Sequence, residues 1–210
     1  MDYEYLWDQI YKVIGRIRVP KCLKERTEEV VLHISDTPYS IFPALSNLVL
    51  TLKPEYIIHT GDLVDNIKLE LYPKSLNRYK MYIKNLMKIM QKPFVKGIYI
   101  SLGNHDDAET IKEYMKIDKR IILTKESNSI NIGEQTIQYA HYLSTLNEKP
   151  NSIGLYGHDL SVKEQLSENS IYLNGIIDIS IIMIDSGEIH KLHYPIGTDD
   201  ARLKKGRVGF

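Results

Sequence analysis

The fold of this chain is decided by two short stretches, HTGDLVDN (59–66) and SLGNHD (101–106). Each contains the end of an apolar run that is typical of a buried strand, and a third apolar run, residues 29–35, ends in Asp36 in the same way. Segments with helical periodicity separate these three strands. Strands that alternate with helices predict βαβ units, so we expect an α/β fold whose sheet is largely parallel.

Polar residues follow each predicted strand directly: Asp36, Asp62 and the run Asn104-His105-Asp106. In an open α/β sheet, ligands collect at the carboxyl ends of the strands, so these side chains should lie along one edge. Carboxylate, amide and imidazole groups together suit a hard or borderline divalent metal. One Asp at a strand end could equally be a helix N-cap. Three such ends in succession favour a metal site.

The second half of the chain has a different pattern. Short strand-like runs follow one another from residue 121 to residue 194, and Asp185-Ser186-Gly187 is a turn signal between two of them. Among these runs, only residues 161–166 have a helical pattern. We therefore expect the second half to add further strands rather than to continue the βαβ repeat.

The two ends of the chain are predicted to lie outside the main domain. Apolar residues recur at helical spacing from Tyr3 to Ile17. This helix could dock on the domain, bind a protein partner or lie on a membrane surface, and docking is the interpretation we favour. The C-terminal segment is polar, and its basic cluster is expected to be solvated unless it contacts phosphate: Arg202, Lys204, Lys205 and Arg207. The predicted division is a helix and connector (1–28), a main domain (29–196) and a tail (197–210).

Length and composition exclude several classes of protein. The 210 residues fit one domain, and with 43% hydrophobic residues the chain can bury a sizeable core. Lys+Arg and Asp+Glu both number 27, which argues against a strongly basic surface for nucleic acid. No apolar run is long enough to span a bilayer, and the first 20 residues lack the apolar segment of a signal peptide. We expect a cytoplasmic protein.

Five stretches of the sequence together resemble the calcineurin-like metallophosphoesterases. They are LHISDT (32–37), HTGDLVDN (59–66), SLGNHD (101–106), YAH (139–141) and LYGHDL (155–160). A strand-end Gly-Asp followed by Gly-Asn-His-Asp after the next strand is a specific signal, whereas either motif alone is weak. The resemblance implies a four-layer α/β/β/α sandwich that holds metal between its two sheets, here with an extra N-terminal helix.

The resemblance also implies which residues bind metal. Asp36 would bind the first ion, and Asp62 would bridge two ions. Asn104 would bind the second ion through its side-chain oxygen, and His141 and His158 would complete that second site. One or two divalent ions are implied, and Asp, Asn and His ligands accept Mn, Fe, Zn or Ni with little discrimination.

The implied reaction is hydrolysis of a phosphomonoester or phosphodiester. A bound metal neutralises the anionic phosphate and converts a bound water into hydroxide near neutral pH. His105 would stand beside the leaving-group oxygen as a proton donor or transition-state stabiliser, oriented by Asp106. Asn66 could contact the substrate phosphate, although a role in a turn is at least as compatible with its position.

Two ligands of the first metal are missing from the sequence. Pro38 stands where the family motif Asp-x-His has its histidine, and Leu160 stands where Gly-His-x-His has its second histidine. The enzyme could work with one tightly bound metal, or it could have lost catalysis and kept a structural metal. A nearby carboxylate could also replace the lost ligands, with three candidates: Asp65, Asp107 and Asp159.

The other histidines are expected to be structural. His33 and His59 lie inside strand runs, where core packing is the favoured interpretation, although either imidazole could replace a missing ligand if it reached the edge. His190 and His193 should face opposite sides of a late strand, at the surface. Our leading hypothesis is a metal-dependent phosphoesterase. The alternative is a metal-binding interaction module on the same fold that contacts a protein partner through residues 3–17.

Overall fold

The computed structural model of this protein describes residues 3–161, 165–167 and 170–203. Two β-sheets pack face to face, and helices cover the outer face of the first sheet. This mixed α/β arrangement with two sheets confirms the predicted fold class.

The first sheet has six strands and is mainly parallel. Its strands are β1 (Val30–Ile34), β2 (Tyr56–His59), β3 (Gly97–Ser101), β4 (Ile121–Thr124), β10 (Asp178–Met183) and β11 (Ile189–His193). Their order across the sheet is β11-β10-β1-β2-β3-β4. The strands β1 to β4 are parallel. The strand β10 is antiparallel to β1, and β11 is antiparallel to β10 at the edge of the sheet. The predicted βαβ units therefore form most of this sheet.

The second sheet has five strands. They are β5 (Ser127–Ile132), β6 (Gln135–Ala140), β7 (Ser152–Tyr156), β8 (Gln165–Ser167) and β9 (Ser170–Asn174), in the order β5-β6-β7-β9-β8. The helix predicted at 161–166 is wrong for Gln165 and Leu166, which belong to β8 and pair with β9, and residues 162–164 of that prediction lie outside the described residues. A six-residue periodic pattern is too short to form a stable helix by itself, and strand pairing decides its conformation.

Six helices lie among the described residues. They are α1 (Tyr3–Val13), α2 (Lys21–Lys24), α3 (Phe42–Leu52), α4 (Leu76–Met90), α5 (Ala108–Ile117) and α6 (Thr198–Leu203). The residues of β1 alternate between two cores: Val30 and Leu32 pack with α3 and α4, whereas Val31 packs with the second sheet. This alternation explains why every residue of β1 is buried.

Parallel pairing brings the predicted site residues to one end of the molecule. Within the first sheet, Ile34 of β1 is paired with His59 of β2, which is paired with Ile100 of β3. The strands β6 and β7 of the second sheet are also parallel. Short segments after these five strands carry the predicted ligands: Asp36, Asp62, Asn104, His141 and His158.

The N-terminal helix does not bury its apolar face on the domain. Its apolar side chains are largely exposed, with exposed fractions of 51% for Trp7 and 70% for Val13. The favoured interpretation was that this helix docks on the domain through its apolar face, and the exposure of these side chains contradicts it. A polar contact joins the middle of the helix to the segment that follows it: Arg18 forms an ion pair with Asp8 at 2.9 Å. No helix in the described part of the chain is long and apolar enough to cross a membrane.

Candidate metal centre

The loops that follow β1 and β2 are joined to each other and contain two strained residues. Asp36 and Asp62 both have left-handed backbone conformations, with φ of 49° and 52°. The amide of Asp36 donates to the carbonyl of Gly61 at 2.9 Å, and the amide of Thr37 donates to the carbonyl of Asp62 at 3.1 Å. Such conformations are unfavourable for residues with a Cβ and cluster at functional sites, where the surrounding structure enforces them. The joined loops hold both carboxylates in a buried position.

The loop after β3 approaches Asp62 very closely. A Cβ added at Gly103 would lie 2.1 Å from Asp62 Oδ1, so glycine is required there. The same Oδ1 accepts a hydrogen bond from the amide of His105 at 2.9 Å. The other carboxylate oxygen of Asp62, Oδ2, lies 3.7 Å from Nε2 of His141.

A hydrogen bond fixes the orientation of the His141 ring. Its Nδ1 lies 2.7 Å from the carbonyl oxygen of Thr60. A carbonyl oxygen can only accept, so Nδ1 carries the hydrogen and the lone pair of Nε2 points into the site. Around this Nε2 lie His158 Nδ1 at 3.2 Å, Asn104 Oδ1 at 3.3 Å and Asp62 Oδ2 at 3.7 Å. The predicted ligands of the second metal therefore meet at one point.

Two residues that the sequence analysis did not identify orient this set. Glu70 accepts a hydrogen bond from Asn104 Nδ2 at 2.6 Å, which turns the amide oxygen toward the histidines. The ring of Tyr142 packs edge-on against the rings of His141 and His158, with centroid distances of 4.7 and 4.5 Å. Both residues lie in loops that carry no motif, so no pattern in the sequence indicated them.

The chemistry of this set fits a divalent cation. Asp62, His141 and His158 place ligand atoms within 4.8 Å of one another. Donors bonded tetrahedrally at about 2.1 Å would be separated by about 3.4 Å, close to the spacing found here. Burial, followed by the charges of Asp36, Asp106 and Asp65, raises the pKa of the Asp62 carboxyl well above its usual range. Buried carboxylates that repel one another in this way are stabilised by a bound cation.

A second group of possible ligand atoms shares Asp62 with the first and consists of Asp62, Asp65 and His105. Of the three carboxylates proposed to replace the missing histidines, Asp107 caps α5 by accepting from Thr110 at 2.9 Å, and Asp159 accepts from Ser161 at 2.8 Å. Asp65 alone of the three lies in the site, where it places an oxygen within 4.8 Å of Asp62 and His105. Asp65 is buried and forms an ion pair with Lys68, which is three residues further along the loop.

The structure corrects the predicted role of Asp106. Its two oxygens accept hydrogen bonds from the backbone amides of Asp62, Leu63 and Gly103 and from the hydroxyl of Tyr79, at 2.8 to 2.9 Å. These bonds join the loops after β2 and β3. Asp106 therefore positions the ligand loops rather than the His105 ring. Its place directly after His105 suggested a pairing, but adjacent side chains point in different directions.

The ring of His105 lies at the edge of the site, beside acidic and amide groups. Its Nδ1 is 3.8 Å from Glu70 Oε2, and Asn104 Nδ2 lies 3.2 and 3.4 Å from its two ring nitrogens. Burial, followed by the charge of Lys68, lowers the pKa of the His105 imidazole to about 4. The ring is therefore neutral near pH 7, where it offers an N–H donor rather than a positive charge.

Three other polar residues make contacts within the protein. His33 and His59 are fully buried, and each ring places Nε2 3.0 Å from a threonine hydroxyl oxygen. They are core histidines, as predicted, and do not replace the missing ligands. Asn66 accepts a hydrogen bond from the amide of Tyr39 at 2.9 Å. This contact agrees with the structural role in a turn that was the alternative to substrate binding.

The C-terminal segment contributes to the site through Arg202. The prediction of a solvated cluster is wrong for this residue, which is buried and donates to the carbonyl oxygens of Asp36 at 2.7 Å, Ser35 at 3.2 Å and Ile176 at 2.6 Å. Its guanidinium also lies over the ring of Tyr194, 4.3 Å from the centroid. Arg202 thus supports the strained loop after β1. The remaining basic residues of the predicted cluster lie outside the described residues: Lys204, Lys205 and Arg207.

Comparisons with known proteins agree with this geometry. A family model described as calcineurin-like phosphoesterase matches residues 30–200. A curated protein of Arcobacter nitrofigilis, a probable glycerophosphodiester phosphodiesterase (GpdQ), is 32% identical over 99 residues, which cover 40% of this chain and 32% of that protein. The match thus spans about a third of the length of this relative.

Solved structures extend the comparison to the fold. A phosphoesterase from E. coli, Yfce, aligns with a TM-score of 0.49 at 15% identity, covering 79% of this chain and 98% of that chain. A second solved structure aligns with a TM-score of 0.52 at 10% identity, covering 80% of this chain and 100% of that chain. At such identities the second alignment shows a likeness of fold alone.

Proposed function

Because this chain belongs to the calcineurin-like phosphoesterase family, we propose that it is a metal-dependent phosphoesterase that hydrolyses a phosphomonoester or phosphodiester. The partial similarity to a probable glycerophosphodiester phosphodiesterase supports a diester as the first substrate to test. We further propose that the metal is Mn, Fe, Zn or Ni, since carboxylate, amide and imidazole ligands accept each of these ions.

One observation carries this proposal. The atoms that meet around His141 Nε2 are His158 Nδ1, Asn104 Oδ1 and Asp62 Oδ2, at 3.2, 3.3 and 3.7 Å. The carboxylate and the amide oxygen can only accept, and the hydrogen bond to Thr60 leaves His141 with a lone pair at this point. Carboxylate, amide and imidazole groups that converge in this way are the ligands that such divalent cations accept.

The bound ion would offset the charge of the phosphate and lower the pKa of a coordinated water toward neutrality. The protein's own groups have separate tasks. Asp62, Asn104, His141 and His158 would hold the ion, and Asp106 keeps their loops together. His105, neutral near pH 7, would donate its ring N–H to an oxygen that gains negative charge as the ester bond breaks.

The first test measures metal content and hydrolysis in the same samples. The purified protein is loaded separately with Mn, Fe, Zn or Ni and assayed with p-nitrophenyl phosphate and bis-p-nitrophenyl phosphate. We expect hydrolysis of at least one ester that disappears after chelation and returns with metal. Full metal occupancy without hydrolysis of either ester, with any of the four ions, would refute the catalytic part of the proposal.

Substitutions separate binding from chemistry. His105→Ala is expected to lower turnover by roughly 10²-fold or more while metal content stays unchanged, as the loss of a catalytic proton donor does. His141→Ala is expected to lower metal content itself. His193→Ala is the matched control, because this histidine is exposed on β11 and pairs with Asp178 at 2.9 Å. If His105→Ala and His193→Ala have equal turnover, His105 has no catalytic role.

A second candidate function is a metal-binding interaction module. The observation that favours it is the exposed apolar face of α1, which the domain does not cover. On this hypothesis residues 3–17 contact a protein partner and His105→Ala changes nothing measurable. Deleting residues 3–17 should then abolish binding to a partner and leave metal content intact.

A further inference from the structure

The loop that follows Asp62 places a lysine ammonium inside the candidate site. Lys68 forms an ion pair with Asp65, and the two side chains have exposed fractions of 15% and 3%. This burial distinguishes the pair from another pair with the same spacing, Lys112 and Glu109 on α5, whose side chains are 45% and 78% exposed. A lysine is seldom held this far out of water without a nearby negative charge.

The surroundings of Lys68 are those of the incomplete first metal position. Its partner Asp65 places an oxygen within 4.8 Å of ligand atoms of Asp62 and His105. Burial, followed by the charge of Asp36, raises the pKa of the Asp65 carboxyl, so these acidic groups are close enough to repel one another. Because the ammonium of Lys68 is paired with this Asp65 carboxylate, it lies next to the group formed by Asp62, Asp65 and His105.

Another buried cation near these carboxylates is committed elsewhere. Arg202 donates through its guanidinium to the carbonyl oxygens of Ser35, Asp36 and Ile176 and to the carboxylate of Asp199. It thereby supports the loop from behind. The ammonium of Lys68, in contrast, is paired with Asp65, a member of the acidic cluster itself.

We propose that Lys68 supplies the positive charge that the first metal would have supplied, and that its ammonium, held by Asp65 beside Asp36 and Asp62, contacts a phosphate oxygen of the substrate. Pro38 and Leu160 stand where the family has two histidine ligands of the first metal, and Lys68 replaces the charge of that metal. The protein binds one divalent ion per chain, with a fixed organic cation in place of the second. This inference rests on the proposed function only in taking phosphate as the ligand.

The first experiment counts metal ions. The full chain is equilibrated with excess Mn²⁺, freed of unbound ion by gel filtration, and measured by elemental analysis, and the number of binding events is checked by calorimetric titration. The expected result is one ion per chain. Two ions per chain in the wild-type protein would overturn the proposal, since a metal would then occupy the position assigned to Lys68.

The second experiment measures the binding of inorganic phosphate to the Mn-loaded protein by calorimetry. Lys68→Met is expected to weaken phosphate binding at least about tenfold, the usual consequence of losing one charge-assisted contact, with Mn content unchanged. Lys68→Arg should retain most of the affinity. The control is Lys96→Met, which removes the same charge from the amino-terminal ends of β1 and β3, where Lys96 pairs with Glu29.

Each outcome decides the matter. Phosphate affinity within about twofold of wild type in a Mn-loaded Lys68→Met protein refutes the proposal, as does a wild-type protein that binds no phosphate at millimolar concentrations. If Lys68→Met does not fold, Lys68→Gln replaces it, because an amide can still donate to Asp65. Neither readout is hydrolysis. An inactive protein could still bind phosphate through Lys68, and an active enzyme with two ions would refute this inference alone.

Discussion

Acid should destabilise this protein through two histidines that are buried in its core. His33 and His59 are fully buried on the first sheet, and burial lowers the pKa of each imidazole to about 3. For His59 the charges of His33, His141 and Arg202 lower it further. Both rings are therefore neutral in the folded protein at any pH above about 4, whereas imidazoles in an unfolded chain have a pKa of about 6.5.

The sign and size of the effect follow from this difference. Since the folded pKa lies below the unfolded one, the unfolded chain binds more protons below pH 6.5. The stability that these neutral rings contribute is complete above pH 6.5 and is lost as the pH falls toward 3. One pKa unit corresponds to about 1.4 kcal/mol, so lowering the pH from 7 to 5 should cost about 2 kcal/mol for each ring and about 4 kcal/mol for both.

Comparing variants isolates this contribution. The buried carboxylates of Asp62 and Asp65 have raised pKa values and act in the opposite sense, so the pH dependence of the wild-type protein mixes several groups. We would measure the free energy of unfolding in urea at pH 7 and pH 5, with metal removed by chelation, for wild type, His33→Gln and the control His193→Gln. Between pH 7 and pH 5 the free energy of unfolding of His33→Gln should decrease by about 2 kcal/mol less than that of the other two proteins. Equal losses in all three proteins would refute the reasoning.

Three further predictions concern the residues that support the site. Arg202→Met leaves buried carbonyl oxygens without a donor and should lower the free energy of unfolding by about 3–5 kcal/mol. Arg202→Lys should recover part of this loss. A decrease below about 1 kcal/mol in urea titrations would contradict the prediction. Gly103→Ala would place a Cβ 2.1 Å from Asp62 Oδ1. It should weaken Mn binding on the order of tenfold, measured by calorimetry. An unchanged Mn affinity would mean that the loop shifts to accommodate the Cβ. Glu70→Ala should weaken Mn binding by about 10–100-fold, because Asn104 loses the contact that orients it. Glu70→Gln should bind Mn more tightly than Glu70→Ala, because glutamine keeps an acceptor for Asn104. Equal Mn affinities of the two variants would exclude this orienting role.

The predicted ligands were found in the sequence for different reasons. Asp36, Asp62 and Asn104 follow parallel strands, and the common direction of parallel strands places their ends at one edge whatever the side chains pack against. The local sequence pattern was therefore sufficient to predict that Asp36, Asp62 and Asn104 lie close together. His141 and His158 belong to the other sheet, and only their motif contexts indicated them. Their convergence on the same point depends on how the two sheets face each other.

The sequence by itself determined the α/β class and the end of the strands where the predicted ligands lie, because periodicity and strand-end residues are local properties of the chain. The two-sheet fold and the family were implied by the resemblance that the five motif stretches carry. Only the tertiary structure decided which side chains surround the ligands. Asp106 joins loops rather than orienting His105, Arg202 returns from the C-terminal helix to hold the loop at Asp36, and Lys68 pairs with the buried Asp65. Spacing along a chain fixes the direction of strands, whereas contacts between loops depend on distances that only the folded chain defines.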